Sequence, residues 1–218
     1  MSRRDVIACV PRSPRHALLT LALMLSLASA ATAGGAKTVT IGGPFTLTAP
    51  NGATVTDRTY RGKWLLVFFG FTFCPNTCPT TLLEIAGALE RLGPDADRVQ
   101  PLFITIDPAR DTPEMLANFT GSFDGRILGL TGTAAQIAAV AKAYGAYYAE
   151  HRTGPGPSDY LMDHSTYIYL MDTQGNFVRA YDTDAKGEDI AKTVRAAMIR
   201  IRQGAGDDAA GTVQHSRL

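Results

Sequence analysis

Two of the three cysteines of this chain lie four positions apart in Cys74-Pro75-Asn76-Thr77-Cys78-Pro79. An apolar run, Trp64-Leu65-Leu66-Val67-Phe68-Phe69, comes shortly before them. If a helix starts at or just beyond Cys74, residues four apart lie on one face, one turn above the other. Both sulfurs then meet at a helix N-terminus, whose partial positive charge favours thiolate over thiol. That is the chemistry of a thiol redox pair, of a thiophilic metal site, or of both. A bracing disulfide explains the pair poorly, because so short a loop removes little entropy from the unfolded chain.

His164 is the candidate third group. It follows Met162-Asp163 and stands at the entrance of an expected strand, Ser165 to Met171. His151 borders a Gly/Pro loop and His215 lies near the C-terminus, and both read as surface residues. Two thiolates and one imidazole are too few for structural zinc, which closes with four protein ligands. Soft thiolates select Cu(I), and imidazole suits copper as well. Trigonal Cu(I) needs only these three, whereas Cu(II) wants a further ligand such as water or a carboxylate. The open position also suits handing the ion to a partner.

The segment Asp107-Pro108-Ala109-Arg110-Asp111-Thr112-Pro113 ends a second strand. Asp111, Thr112 and Pro113 read as turn and helix-cap chemistry. Asp107 reads equally as a turn residue or as a carboxylate that orients a loop behind the ligands. Met115, Met162, Met171 and Met198 are scattered and read as packing. Tyr147, Tyr148, Tyr167 and Tyr169 read as strand and core aromatics.

The elements that must position these groups follow from pattern. Phe45 to Thr48 alternates as a strand does, and Pro50-Asn51-Gly52 is a turn. Trp64 to Phe69 and Val99 to Ile106 are central strands. Leu82, Leu83, Ile85, Ala86, Leu89 and Leu92 repeat with helical spacing over about Thr80 to Leu92, and Gly93-Pro94 ends that helix. Thr112-Pro113 opens a second helix, and Ile127 to Leu130 is a short strand. A third helix spans Thr133 to Tyr144, with Thr133 and Gln136 as a capping box. A short strand over Ala146 to Glu150 and an irregular loop at Gly154 to Ser158 follow. Thr166 to Met171 and Phe177 to Tyr181 form a hairpin, and a last helix runs from about Gly187 to Arg202. This element order predicts an α/β, thioredoxin-like fold: a central mixed sheet flanked by helices, with an N-terminal extension. In that fold the loop before the hairpin faces the cysteine helix, which gives His164 its place opposite the sulfurs.

Bulk properties limit the function classes. Hydrophobic residues make up 45% of 218, enough for a core of one domain. Residues 1–33 read as an export signal, arginine-rich, then apolar from Ala17 to Leu27, then small residues with A-x-A sites. Alternatively, residues 17–33 stay in place as a membrane anchor. Cys9 belongs to this segment. Beyond residue 33 the chain has 17 Lys and Arg against 19 Asp and Glu, a net of −2, which excludes a nucleic-acid binder. The domain is expected over 34–203, with a disordered tail over 204–218. An extracytoplasmic, periplasmic compartment permits the two remaining cysteines to pair.

Three ordered motifs carry a resemblance. Gly70-Phe71-Thr72-Phe73-Cys74-Pro75-Asn76-Thr77-Cys78-Pro79-Thr80, Thr105-Ile106-Asp107-Pro108-Ala109-Arg110-Asp111-Thr112-Pro113 and Asp163-His164-Ser165-Thr166-Tyr167-Ile168-Tyr169-Leu170-Met171-Asp172 are together similar to the Sco/SenC proteins, over about residues 38–203. These are copper-binding, thioredoxin-like factors for cytochrome c oxidase assembly. The resemblance implies that Cys74, Cys78 and His164 bind Cu(I) or Cu(II). It also implies service to the dinuclear CuA centre, by copper delivery or by reduction of the target's cysteines. The implied partners are the copper-binding subunit of the oxidase and another copper chaperone or a thiol reductase.

One position departs from the family's usual Cys-Pro-Asp-x-Cys-Pro pattern: Asn76 stands where Asp is usual. Asn keeps the capping geometry and lacks the charge, so the expected consequence is weaker Cu(II) binding or a shifted potential. The main rival reading is an extracytoplasmic thiol–disulfide oxidoreductase that uses Cys74 and Cys78 without metal. A thiol peroxidase is a more distant one.

Overall fold

The structure, a computed structural model, describes residues 40–213. The expected export signal or anchor at 1–33, and residues 214–218, lie outside the described residues.

Thr46–Thr48 (β1) and Thr54–Thr56 (β2) form an antiparallel hairpin. Its turn is closed by the Gly52 N–H donating to the Ala49 carbonyl at 2.9 Å. Gly52 takes φ +80° there, a conformation that only glycine enters without strain.

The central sheet is mixed and has five strands. Trp64–Gly70 (β3) runs parallel to Val99–Thr105 (β4), which in turn is parallel to Leu128–Leu130 (β5). On its other side β3 pairs antiparallel with Ile168–Met171 (β8), and β8 with Phe177–Tyr181 (β9). All seven residues of β3 are buried, the consequence of neighbours on both edges and helices on both faces. Adjacent side chains of a strand point to opposite faces. Phe69 accordingly meets Tyr144 of Ala134–Tyr144 (α3), while Phe68 meets Phe103, which meets Phe119 of Pro113–Gly121 (α2). Burying each such side chain contributes about 1.5–3 kcal/mol. This is the mixed, helix-flanked sheet of the thioredoxin-like class that the element order predicts.

Two predicted caps are present. Thr112 accepts the Met115 N–H at 3.2 Å, with Pro113 at the first helical position. Thr133 and Gln136 cap each other's backbone. The first helix, Thr77–Leu92 (α1), starts three residues before the expected Thr80, because Pro79 falls in its first turn, where no N–H is needed. It packs along the last helix, Gly187–Val213 (α4). α4 continues past the expected end at Arg202, through residues 204–213 of the stretch expected to be disordered.

The largest difference lies before β8. Tyr148–Arg152 (β6) and Tyr160–His164 (β7) form a separate two-stranded antiparallel sheet, with Tyr148 opposite His164. Sequence pattern predicts a short strand at 146–150 and no strand at 160–164. Both strands are only five residues long; β6 is largely polar, and the apolar Tyr160-Leu161-Met162 of β7 is too short a run to mark a strand by itself. His164 therefore ends β7, and β8 begins only at Ile168.

Candidate metal centre

Gly70 ends β3, and the chain then turns so that the Cys74 N–H donates to the Phe71 carbonyl at 3.2 Å. Because α1 begins at Thr77, Cys78 is its second residue and Cys74 lies outside it. The expected stacking of two sulfurs along one helix face is thus corrected. Cys74 Sγ instead accepts the backbone N–H of Cys78 at 3.3 Å and so acts as a helix cap. Asn76 holds the N-cap position with φ −138° and ψ −57°, and its side chain makes no capping bond. Cys78 is fully buried and Cys74 is 9% exposed. A Cβ on Gly70 would stand 2.7 Å from Cys78 Sγ and from the Phe103 ring, which is why the strand closes on glycine here.

The hairpin β6–β7 brings His164 to this point. Its Nε2 lies 3.8 Å from Cys78 Sγ, and its Nδ1 lies 2.8 Å from the Ser165 carbonyl. A carbonyl only accepts, so Nδ1 carries a hydrogen and Nε2 is the ring atom that faces the sulfurs. Phe68 and Phe71 flank the imidazole edge-on, with centroids at 6.3 and 5.9 Å. The ligand atoms of Cys74, Cys78 and His164 all lie within 4.8 Å of one another. Among the described residues this is the one group of three or more His, Cys, Asp or Glu side chains that could hold a metal ion.

The two free thiols have opposite characters. A hydrogen bond from the Cys78 thiol lowers the Cys74 pKa from 9.0 to about 4, assisted by His164 and by the backbone N–H groups of Cys78 and Asn76. The same hydrogen bond, together with burial, raises the Cys78 pKa. The pair therefore keeps one proton and carries one negative charge. A bound cation would displace that proton, since metal ligands are thiolates.

Two carboxylates support the loops around the site. Asp111, wholly buried, accepts the Thr72 N–H at 3.1 Å and the Thr72 and Thr105 hydroxyls at 2.6 Å each, tying the cysteine loop to the end of β4. Burial raises its pKa above the ordinary carboxylate value. Asp107 accepts the Tyr160 hydroxyl at 2.9 Å and pairs with Arg110 Nε. Arg110 Nη1 donates to the Tyr160 carbonyl at 2.9 Å and the Ser158 carbonyl at 3.3 Å. Asp107 thus orients a loop, one of its two sequence readings, and Asp111 does more than turn chemistry. Arg110, Tyr160 and Phe73 were not legible as site residues. The one available signal was Asp107 and Arg110, opposite charges three apart in a turn at a strand's carboxyl end.

The family model for SCO1/SenC matches residues 33–199. Protein SenC of Rhodobacter capsulatus is 43% identical over 177 residues, covering 81% of this chain and 79% of that protein. Protein SCO1 homolog 1, mitochondrial, of Arabidopsis thaliana is 39% identical over 160 residues, covering 71% of this chain and 47% of that one, so the chain spans about half of that relative's length. The solved structure of Bradyrhizobium japonicum ScoI with copper bound superposes with TM-score 0.66 at 44% identity, covering 72% of this chain and 98% of that chain. The matched residues include both cysteines, the Asp107–Arg110 turn and His164, and the chain belongs to the SCO1/SenC family.

Proposed function

We propose that this chain is an exported copper metallochaperone for the CuA centre of a respiratory cytochrome c oxidase. Copper is its cargo, held by Cys74, Cys78 and His164. The observation that carries this reading is the convergence of two sulfurs and one imidazole nitrogen within 4.8 Å. Two soft donors and one borderline donor satisfy Cu(I) and fall short of the four-ligand shell of structural zinc. The copper-bound ScoI structure, at 44% identity, supports the choice of ion. Service to the oxidase rests on the resemblance of the family as a whole. The copper-binding subunit of the oxidase is the proposed recipient, with a second copper chaperone or a thiol reductase acting before it.

The protein's own contribution is positioning. Cys74, the more accessible sulfur, sits at the mouth of the site, where a recipient's thiolate can replace it as ligand. Cys78, fully buried, and His164, half-buried, would be the other two donors. The proposed location is the periplasm, reached through residues 1–33, with 17–33 removed with the signal or kept as an anchor. Among the described residues no helix is long and apolar enough to cross a membrane.

A second reading is favoured by the unequal thiols. A partly exposed thiolate at Cys74 beside a buried thiol at Cys78 is the arrangement of a thiol–disulfide oxidoreductase. Cys74 would attack a partner disulfide and form a mixed disulfide, releasing one partner thiolate. Cys78 would then displace the second, leaving a Cys74–Cys78 disulfide and a reduced partner.

Cu(I) affinity of native protein and His164→Ala, measured by competition with a chromophoric chelator, separates the two. The chaperone reading expects affinity to fall by roughly an order of magnitude or more, with reduction of a partner disulfide retained. Copper affinity that survives His164→Ala removes His164 from the ligand set and favours the oxidoreductase.

A further inference from the structure

We propose that Arg110 is the positioning residue that holds His164 over the two sulfurs. This rests on the reading of Cys74, Cys78 and His164 as copper ligands. Among the described residues, strands β6 and β7 pair only with each other, apart from the central sheet, so no ladder to that sheet sets where the hairpin carries His164. Something else must fix the hairpin, and the polar contacts that do so gather at Arg110.

Tyr160 is the first residue of β7 and His164 the last. Residues two apart on a strand share a face, so Tyr160, Met162 and His164 point the same way. They are also the less exposed residues of the strand. A paired strand of this length spans about 13 Å, so the anchoring of Tyr160 at one end governs the placement of His164 at the other.

The anchor is the guanidinium of Arg110. It lies 3.6 Å from the centroid of the Tyr160 ring and donates to the carbonyls of Tyr160 and Ser158. Its Nε pairs with Asp107, which also accepts the Tyr160 hydroxyl. The same guanidinium lies 4.7 Å from the centroid of Phe73, the residue before Cys74. It also lies 6.0 Å from Phe71, whose ring meets His164 at 87°. One planar cation thus joins the loop that carries the first sulfur to the strand that carries the nitrogen. Lysine could keep the charge near Asp107, but an ammonium neither forks to two acceptors nor stacks as a plane between rings. The side chain is only 12% exposed, an environment in which an arginine is costly unless its contacts are needed.

The test combines a metal-free measurement with a titration, both on the full reduced chain. The ¹⁵N resonances of the His164 imidazole are compared in native protein, Arg110→Ala and Arg110→Lys. Native protein is expected to show a single tautomer protonated at Nδ1, and both variants to show nitrogens averaging toward those of free histidine. Cu(I) affinity is expected to fall roughly 10- to 100-fold in Arg110→Ala, and to fall no further when Arg110→Ala is added to His164→Ala. Unchanged imidazole resonances in folded Arg110→Ala overturn the proposal. So does a loss of affinity as large in the His164→Ala background as in the native one. If Arg110→Ala does not fold, Tyr160→Phe, which removes only the hydroxyl bond to Asp107, carries the same measurements with smaller shifts expected. Copper affinity indifferent to His164→Ala overturns the copper reading instead, and the metal-free resonances still decide the role of Arg110.

Discussion

The sulfur of Cys74 accepts the backbone N–H of Cys78 at 3.3 Å, so the first cysteine caps the helix that carries the second. One helix start therefore both orients the pair and makes it unequal, with a slightly exposed thiolate at Cys74 in front of a fully buried thiol at Cys78.

That inequality predicts selective alkylation. With its pKa lowered to about 4, Cys74 remains thiolate well below the range of an ordinary cysteine, near 8.5. In metal-free, reduced protein its reaction rate with iodoacetamide should stay nearly flat from pH 8 down to pH 5 and drop only as the pH approaches 4. Cys78 should stay unmodified while the protein is folded. Peptide mapping by mass spectrometry reads both, and equal labelling of the two cysteines would contradict the prediction.

Asn76 stands one residue before α1, with an uncharged side chain that makes no capping bond. Asn76→Asp places a negative charge two positions from Cys74. The charge should raise the Cys74 pKa, so that alkylation slows at a higher pH, and should tighten Cu(II) binding. It should also stabilise the helix start by about 0.3–1 kcal/mol. Unchanged Cu(II) affinity and an unchanged alkylation profile would leave the departure at this position without consequence.

Gly70→Ala forces a Cβ to within 2.7 Å of both Cys78 Sγ and the Phe103 ring. The expected cost is about 1–3 kcal/mol of stability, by urea denaturation. Cu(I) affinity should fall too, because the displaced atom is a proposed ligand. A variant as stable as native protein with native affinity would show that the β3–α1 junction yields easily.

Glu84 of α1 accepts the Gly187 N–H at the start of α4 at 2.7 Å. That hydrogen bond lowers its pKa below the ordinary glutamate value. A carboxyl with a lowered folded pKa stabilises the fold above its unfolded pKa of about 4.3, and the contribution disappears as the pH falls through the folded value. Glu84→Ala should therefore cost about 1 kcal/mol at pH 7, and the gap from native protein should close below pH 4. Thermal melts across this range measure it, and a gap independent of pH would rule out the charged cap.

The framework of the protein was legible in its sequence because it rests on local pattern. The unbroken apolar run of β3, the helical repeat of Leu82 to Leu92 and the caps at Thr112 and Thr133 are signals carried within one or two turns of chain. The types and spacing of Cys74 and Cys78 were equally local, whereas His164, 86 positions from Cys78, joined them only through the expected order of elements. The hairpin β6–β7 was only half legible, since its strands are short and are held by contacts from distant segments.

What the sequence by itself determined is the candidate set, Cys74, Cys78 and His164, and the α/β order of elements that brings it together. Tertiary structure alone decided that Cys74 lies outside the helix and caps it, that His164 ends a strand detached from the main sheet, and that Arg110, 50 positions from Tyr160, joins that strand to the cysteine loop. The reason is physical. Hydrophobic periodicity records which face of each element is buried, while the meeting of a guanidinium, two rings and a carboxylate from distant segments leaves no period to read.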